Sequence, residues 1–266
     1  MLFFVVVGNK RKFTGYVLVA LLAVGLLIGG IFTTGRAIVT SSSSKLVPVY
    51  RVAREDKVVS ITLDATWGDD HTLQLLDLFD KHGIKVTFFL AGNWIKSYPD
   101  MVKEISNRGH EIGNHSLTHP HMSQISTEQM KKELLDTENM IYDLTGVKTT
   151  NFRPPFGDYN NDLIVTAREC GYTTVQWSID SLDWKDLSAD DIYARVMGKF
   201  SGGDIILFHN AGKNTLEALE RIITDLKAQG YQIVPVSEIL KAPDVAGRLG
   251  DKLIAELPAA AFPEFE

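Results

Sequence analysis

The stretch VVSITLDATWGDDHTLQLLDLFDKHGIKVTFFL, residues 58–90, decides the fold. Val58 to Asp64 is rich in β-branched side chains and reads as a strand. From Thr72 to His82 apolar residues recur at helical spacing (Leu73, Leu76, Phe79), and Gly83 supplies a stop. Val86 to Leu90 is a second strand. Strand, helix and strand in this order make a crossover unit, whose strands run parallel.

The alternation continues outward. Asp100 to Arg108 is a short helix closed by Gly109, and Glu111-Ile112-Gly113 is a short strand. Ser126-Thr127-Glu128-Gln129 has the form of a capping box and opens a helix to about Thr145, with Gly146 after it. Asn151-Phe152-Arg153 is extended, as residues ahead of prolines are. A helix over Asn161 to Cys170, a strand over Thr174 to Trp177 and a helix capped at Ser188 follow. Then come an apolar strand over Asp204 to Phe208, a helix over Thr215 to Gln229 and a last strand over Tyr231 to Val234. Six or seven strands that are apolar on both sides predict a parallel sheet covered on both faces. A closed barrel and an open doubly wound sheet both satisfy the pattern. Asp64-Ala65-Thr66-Trp67-Gly68 is neither a dinucleotide fingerprint nor a phosphate loop, which counts against a nucleotide site.

Composition narrows the class. The 266 residues are 45% hydrophobic and 23% charged, ordinary for a globular protein. Cys170 is the only cysteine, so an internal disulfide framework and a multi-cysteine zinc site are excluded, and a small core residue is expected there. A net charge of −6 argues against a nucleic-acid partner. The charge is uneven: residues 1–45 hold Lys10, Arg11, Lys12, Arg36 and Lys45 and no acid, while the rest carries 22 Lys and Arg against 33 Asp and Glu.

No charge occurs from Gly15 to Phe32. As a helix these 18 residues rise about 27 Å, close to the ~30 Å hydrocarbon core of a bilayer. With the basic triplet ahead of it, the run predicts a single membrane anchor whose N-terminus stays cytoplasmic and whose body is exported. Secretion after signal cleavage is the alternative, and no clear small-x-small site precedes Arg36. The expected organisation is a cytoplasmic N-terminus (1–14), an anchor (15–33), a linker (34–56), a catalytic domain (57–240) and a C-terminal tail (241–266).

In parallel α/β proteins ligands sit at the C-terminal ends of strands. Here those ends carry Asp64, then His115 and His119, then Arg153, then Asp180 and Asp183, then His209. Five strand ends with ionisable groups in one chain are poorly explained as turns and caps. The i, i+4 spacing of His115 and His119, in a helical turn or tight loop, aims two imidazoles at one point and suits a divalent metal.

Leu63-Asp64, His115-Ser-Leu-Thr-His119, Arg153-Pro-Pro-Phe-Gly157, Asp180-Ser-Leu-Asp183-Trp184 and Leu207-Phe-His209 resemble, in order and spacing over about residues 57–240, the five motifs of the polysaccharide deacetylase (NodB-homology) family. Gly109-His-Glu-Ile-Gly-Asn114 is also similar to that family. The resemblance implies a distorted (β/α) barrel of about seven parallel strands. It also implies removal of acetyl groups from N-acetylglucosamine polymers, or O-acetyl groups from xylan, with a divalent metal held by Asp-His-His. Zinc is the expected metal, with cobalt or nickel as alternatives. By position His115 and His119 resemble the metal histidines, Asp64 the base and His209 the acid. Arg153 resembles the residue that orients the base, and Asp183 the one that orients the acid. The backbone N–H of Phe156 resembles the oxyanion donor, and Trp184 and Leu207 resemble walls of the acetyl pocket.

The chain departs from that family at one position. Most members have two adjacent aspartates after the first strand, and here the second is Ala65. Asp69 is the expected replacement metal ligand, ahead of Asp70. Ligation by Asp64 itself, or weak binding, are the alternatives. His71, His82, His110 and His121 read as surface or packing residues. The expected activity is N-acetyl hydrolysis on an extracytoplasmic glycan, with peptidoglycan N-acetylglucosamine first. The alternatives are a chitooligosaccharide deacetylase, an acetyl-xylan esterase and a catalytically weak glycan-binding member. A hydrolase using Asp64 and Asp183 as two carboxylates would leave the three histidines unexplained.

Overall fold

In the computed structural model, residues 45–69 and 71–241 are described. The expected anchor at 15–33, the basic N-terminus before it and all but the first residue of the expected tail lie outside the described residues. Among the described residues no helix is long and apolar enough to cross a membrane.

The elements alternate as β1 (Val58–Ala65), α1 (Thr72–His82), β2 (Thr87–Leu90), α2 (Gly92–Ser97), α3 (Pro99–Asn107), β3 (Glu111–Asn114), α4 (Thr127–Thr145) and β4 (Asn151–Phe152). They continue with α5 (Asn161–Glu169), β5 (Thr173–Thr174), β6 (Ile179–Asp180), α6 (Ala189–Met197), β7 (Ile205–His209), α7 (Thr215–Ala228), β8 (Gln232–Ile233) and α8 (Val236–Ile239). The sheet order is β5-β4-β3-β2-β1-β7-β6, with β8 beside the start of β1, and every ladder is parallel. This is a curled half-barrel of about seven strands.

β1 runs through the middle because all eight of its residues are buried. Leu63 and Ile61 join Leu76, Phe79, Leu219 and Ile222 in the main core, so α1 and α7 cover that face. Ser126 begins α4 with the predicted capping box. Its side chain accepts from Gln129 N, and the Gln129 side chain accepts from Ser126 N.

Two of the departures from the sequence pattern lie at the ends of the sheet. The strand expected over Thr174 to Trp177 covers only Thr173–Thr174; beyond it Val175 N still donates to Phe152 O on β4, and Gln176 N donates to the carbonyl of Val49, both at 2.8 Å. A further two-residue strand, β6, then pairs with β7 through Ile179 and Asp180.

β5 and β6 end the sheet order and make no ladder with each other. The segment before β1 joins the two sides. Val49 bridges Val175, and Arg51 bridges Asp204. Val52 N donates to Gly203 O at 2.9 Å. The approach is so close that a Cβ on Gly203 would lie 1.7 Å from the Val52 carbonyl oxygen, and Gly203 sits at φ +87°. Only glycine accepts both conditions.

Candidate active site

The strand register brings two of the key side chains together. Asp64 on β1 is the Cα partner of His209 on β7, so an acid and an imidazole stand side by side at the C-terminal edge. β3 delivers His115 and β4 delivers Arg153 to the same edge, with Arg153 N donating to Asn114 O.

Arg153 is fully buried, and its Nη1 lies 2.7 Å from Asp64 Oδ1. Its guanidinium carbon stands 4.1 Å from the centre of the Phe89 ring, and Nη2 donates to Gln176 O. Burial alone would raise the Asp64 pKa, but the positive charge of Arg153 is the largest of the opposing influences, and the net shift is downward. Asp64 is therefore a carboxylate held ionised in a dry place.

His209 is biased the other way. Burial would lower its pKa, but Asp183 more than compensates. His209 Nδ1–H donates to Asp183 Oδ1 at 2.7 Å, and His209 N donates to Oδ2 at 2.8 Å. Thr215 Oγ1 also donates to Oδ2, so the Asp183 carboxylate is fixed and fully buried. The imidazolium form is favoured, and Nε2 is the nitrogen left for other partners.

His115 and His119 lie in a loop. Ser116 and His119 adopt φ of +66° and +60°, and the rings come within 4.9 Å, centre to centre. His115 Nδ1–H donates to Arg153 O at 2.8 Å, which leaves Nε2 3.6 Å from Asp64 Oδ2. Burial lowers the His115 pKa. For His119, burial and then His115 push it down to about 3. Both imidazoles are neutral at pH 7, the form that binds a metal. Glu133 on α4 holds the loop, accepting from Leu117 N, Thr118 N and Thr118 Oγ1.

Asp64, His115, His119, Phe156, Trp184, Leu207 and His209 line one cavity of about 880 Å³, with Arg153 and Asp183 directly behind Asp64 and His209. Asp69 does not line it, and its carbonyl accepts from Thr72 N. Asp70 lies outside the described residues.

The donors fit a divalent metal in part. His115 Nε2 is freed by the bond its other nitrogen makes, the usual arrangement of a ligating histidine. His119 Nδ1 is buried with no hydrogen-bond partner. The position that would bring a carboxylate is Ala65, fully buried within the main core. Among the described residues no group of three His, Cys, Asp or Glu side chains comes together to hold a metal. The residues present therefore do not complete the Asp-His-His site.

Several cleft residues escaped the motifs. Trp67, His121 and Trp177 line the same cavity. Trp67 could have been found from its place three residues after Asp64, in the loop that leaves β1. His110 is a packing residue, enclosed by Phe79 and Phe88 and accepting from Val86 N. Burial lowers its pKa to about 4. Cys170 packs against the smaller core of Phe152, Leu163 and Tyr172.

Residues 51–175 match the polysaccharide deacetylase family. The chain is 36% identical over 197 residues to a peptidoglycan-N-acetylglucosamine deacetylase of Bacillus cereus, covering 72% of this chain and 92% of that one. It is 35% identical over 193 residues to the uncharacterized protein YlxY of Bacillus subtilis, covering 73% of this chain, and it spans only 60% of YlxY. Among solved structures, a pseudoenzyme of the CE4 family from Bacillus anthracis is 36% identical, with a TM-score of 0.71 over 73% of this chain and 69% of that one. A mutant of that protein with restored enzymatic activity is 37% identical, also with a TM-score of 0.71, over 73% of this chain and 71% of that one. The chain belongs to the polysaccharide deacetylase family.

Proposed function

We propose that this protein hydrolyses N-acetyl groups on peptidoglycan, with N-acetylglucosamine as the unit attacked. One observation carries the reading: two groups with opposite proton preference face one cavity. Asp64 bonds Arg153, which biases it toward the ionised form, and His209 bonds Asp183, which biases it toward the protonated form. Asp64 takes a proton from the attacking water as its oxygen bonds to the acetyl carbon. The tetrahedral oxyanion is assigned to the backbone N–H of Phe156. His209 gives its Nε2 proton to the sugar nitrogen as the C–N bond breaks, and acetate leaves. Leu207 and Trp184 are assigned to the acetyl methyl. The name of the Bacillus cereus relative supports the substrate. The basic triplet and charge-free run at the N-terminus support an anchored domain outside the cytoplasm.

A second reading is favoured by Ala65 and the incomplete metal donor set: a member that binds glycan and turns it over weakly or not at all. The solved pseudoenzyme relative is consistent with it. The test is acetate release by the full chain from peptidoglycan, chitooligosaccharide and acetylated xylan. It is run with zinc, cobalt or nickel added and with chelator, and bound metal is measured in parallel. Release from peptidoglycan, falling about 10²–10⁴-fold in Asp64→Asn and in His209→Ala, supports hydrolysis. Glycan binding without acetate under every metal supports the second reading.

A further inference from the structure

The chain just ahead of β1 is tied to the loops of the site as well as to the sheet. Residues 45–50 fall within the stretch that the sequence reads as a linker, and ahead of residue 51, where the family match begins. They are packed all the same. Pro48 is buried, Leu46, Val47, Val49 and Tyr50 are half-buried, and Lys45 lines the active cavity.

Two parts of the site take support from this segment. The first is the loop after β4, which carries Phe156. Leu46 N donates to Asn161 Oδ1 at 2.8 Å, and the Tyr50 hydroxyl donates to the Tyr159 hydroxyl at 3.3 Å. Phe156 stands at φ +59°, a conformation that its neighbours have to hold in place.

The second part is Arg153. Its guanidinium donates to Asp64 and to the Gln176 carbonyl, while Nε, also buried, has no hydrogen-bond partner among the described residues. Gln176 lies past the end of β5, and its N–H donates to the Val49 carbonyl at 2.8 Å. Val49 N in turn donates to Thr174 O at 2.9 Å, so Val49 is bonded on both sides of Val175. The two supported parts also pack together: a Cβ on Gly157 would lie 3.1 Å from the Trp177 ring. Groups that carry out chemistry have to be held within about 0.5 Å by residues that are themselves locked.

We infer that residues 46–50 are a positioning strap of the active site. Through Asn161 and Tyr159 the strap fixes the loop that presents the Phe156 N–H. Through Gln176 it fixes the direction of Arg153, and so of Asp64. The inference rests on the roles proposed for those groups, and it extends the working unit of the protein ahead of the matched family region.

The test uses the full chain. Leu46→Pro and Val49→Pro each lose an N–H, while Leu46→Met and Val49→Thr keep it together with most of the side-chain shape. Hydrogen exchange is followed at residues 156–163 and 174–178, with α1 and α7 as internal controls. Leu46→Pro is expected to exchange roughly three- to tenfold faster at 156–163, and Val49→Pro at 174–178, the scale of one lost hydrogen bond. The two conservative variants are expected to stay within about twofold of wild type. Acetate release from peptidoglycan is expected to lose roughly ten- to hundredfold in kcat in the proline variants, with KM within about twofold. Exchange within about twofold of wild type in both proline variants overturns the strap. So does equal loosening of α1 and α7, or equal loosening by the proline and the conservative variants. An unchanged kcat in a loosened variant overturns the positioning role. A wild type that releases no acetate overturns hydrolysis, and exchange alone then decides the strap.

Discussion

Asp183 shows how much of a site can rest on one buried carboxylate. It receives three hydrogen bonds, from His209 Nδ1–H, His209 N and Thr215 Oγ1, and so fixes both the direction and the proton affinity of the imidazole. The raised pKa of His209 has a consequence for rate. An acid that must be protonated works below its pKa, so activity falls as pH rises through a value above the ordinary histidine range. Asp64 must be ionised, and its lowered pKa puts the opposite limb below the usual carboxylate range. Asp183→Asn removes the charge that raises His209. The alkaline limb of a pH–rate profile is expected to move to lower pH, with a loss of about 10²-fold or more at neutral pH. An unchanged limb would contradict the assignment. Asp64, His115, Arg153, Asp183 and His209 were legible in the sequence because each follows a strand, or stands within a few residues of one, in a parallel fold. The gap at Ala65 was legible too. Where Asp69 points was not, since a loop side chain takes its direction from contacts that no local pattern encodes.

The loops between elements carry the site, and they carry its backbone strain. The described non-glycine residues with positive φ are Ser116, His119, Phe156, Leu182 and Asp186, all in the loops after β3, β4 and β6. Such conformations cost about 1–3 kcal/mol each and persist only where neighbours over-determine them. Glu133 is one such neighbour, bonding the two residues between the strained pair Ser116 and His119. Glu133→Ala is expected to lower stability by about 1–3 kcal/mol, or roughly 2–10 °C in melting temperature. Glu133→Gln, which keeps the shape and one acceptor, is expected to lose less, and differential scanning calorimetry distinguishes the two. An equal melting temperature for Glu133→Ala and wild type would refute the clamp. The long helices and β1 were legible because they repeat over several turns or several alternations. β6 and β5 are two residues each and have no period to read, and α2 begins on a glycine with no side-chain cap. Positions of this kind are settled by the sheet they join.

At the scale of the whole molecule, the parallel order and the placement of the site at one edge follow from the alternation in sequence. The closure does not. It depends on residues 49–52, whose few apolar side chains gave no sign that they would lie against β5 and the start of β7. Gly203 is the point where this closure is tightest. Gly203→Ala adds a Cβ within 1.7 Å of the Val52 carbonyl and forces alanine to a positive φ. The expected loss is about 2–4 kcal/mol, seen as a drop of roughly 5–15 °C in melting temperature. A drop of under about 2 °C would show that the segment is dispensable. This arrangement also has a mechanical side. Tension on the segment that starts at Lys45 meets first the bond from Leu46 N to Asn161 Oδ1 and then, at the seam between β5 and β7, the Val49 and Val52 backbone bonds. The seam bears such load before β1 does, and the catalytic edge is shielded from tugging for as long as those bonds hold.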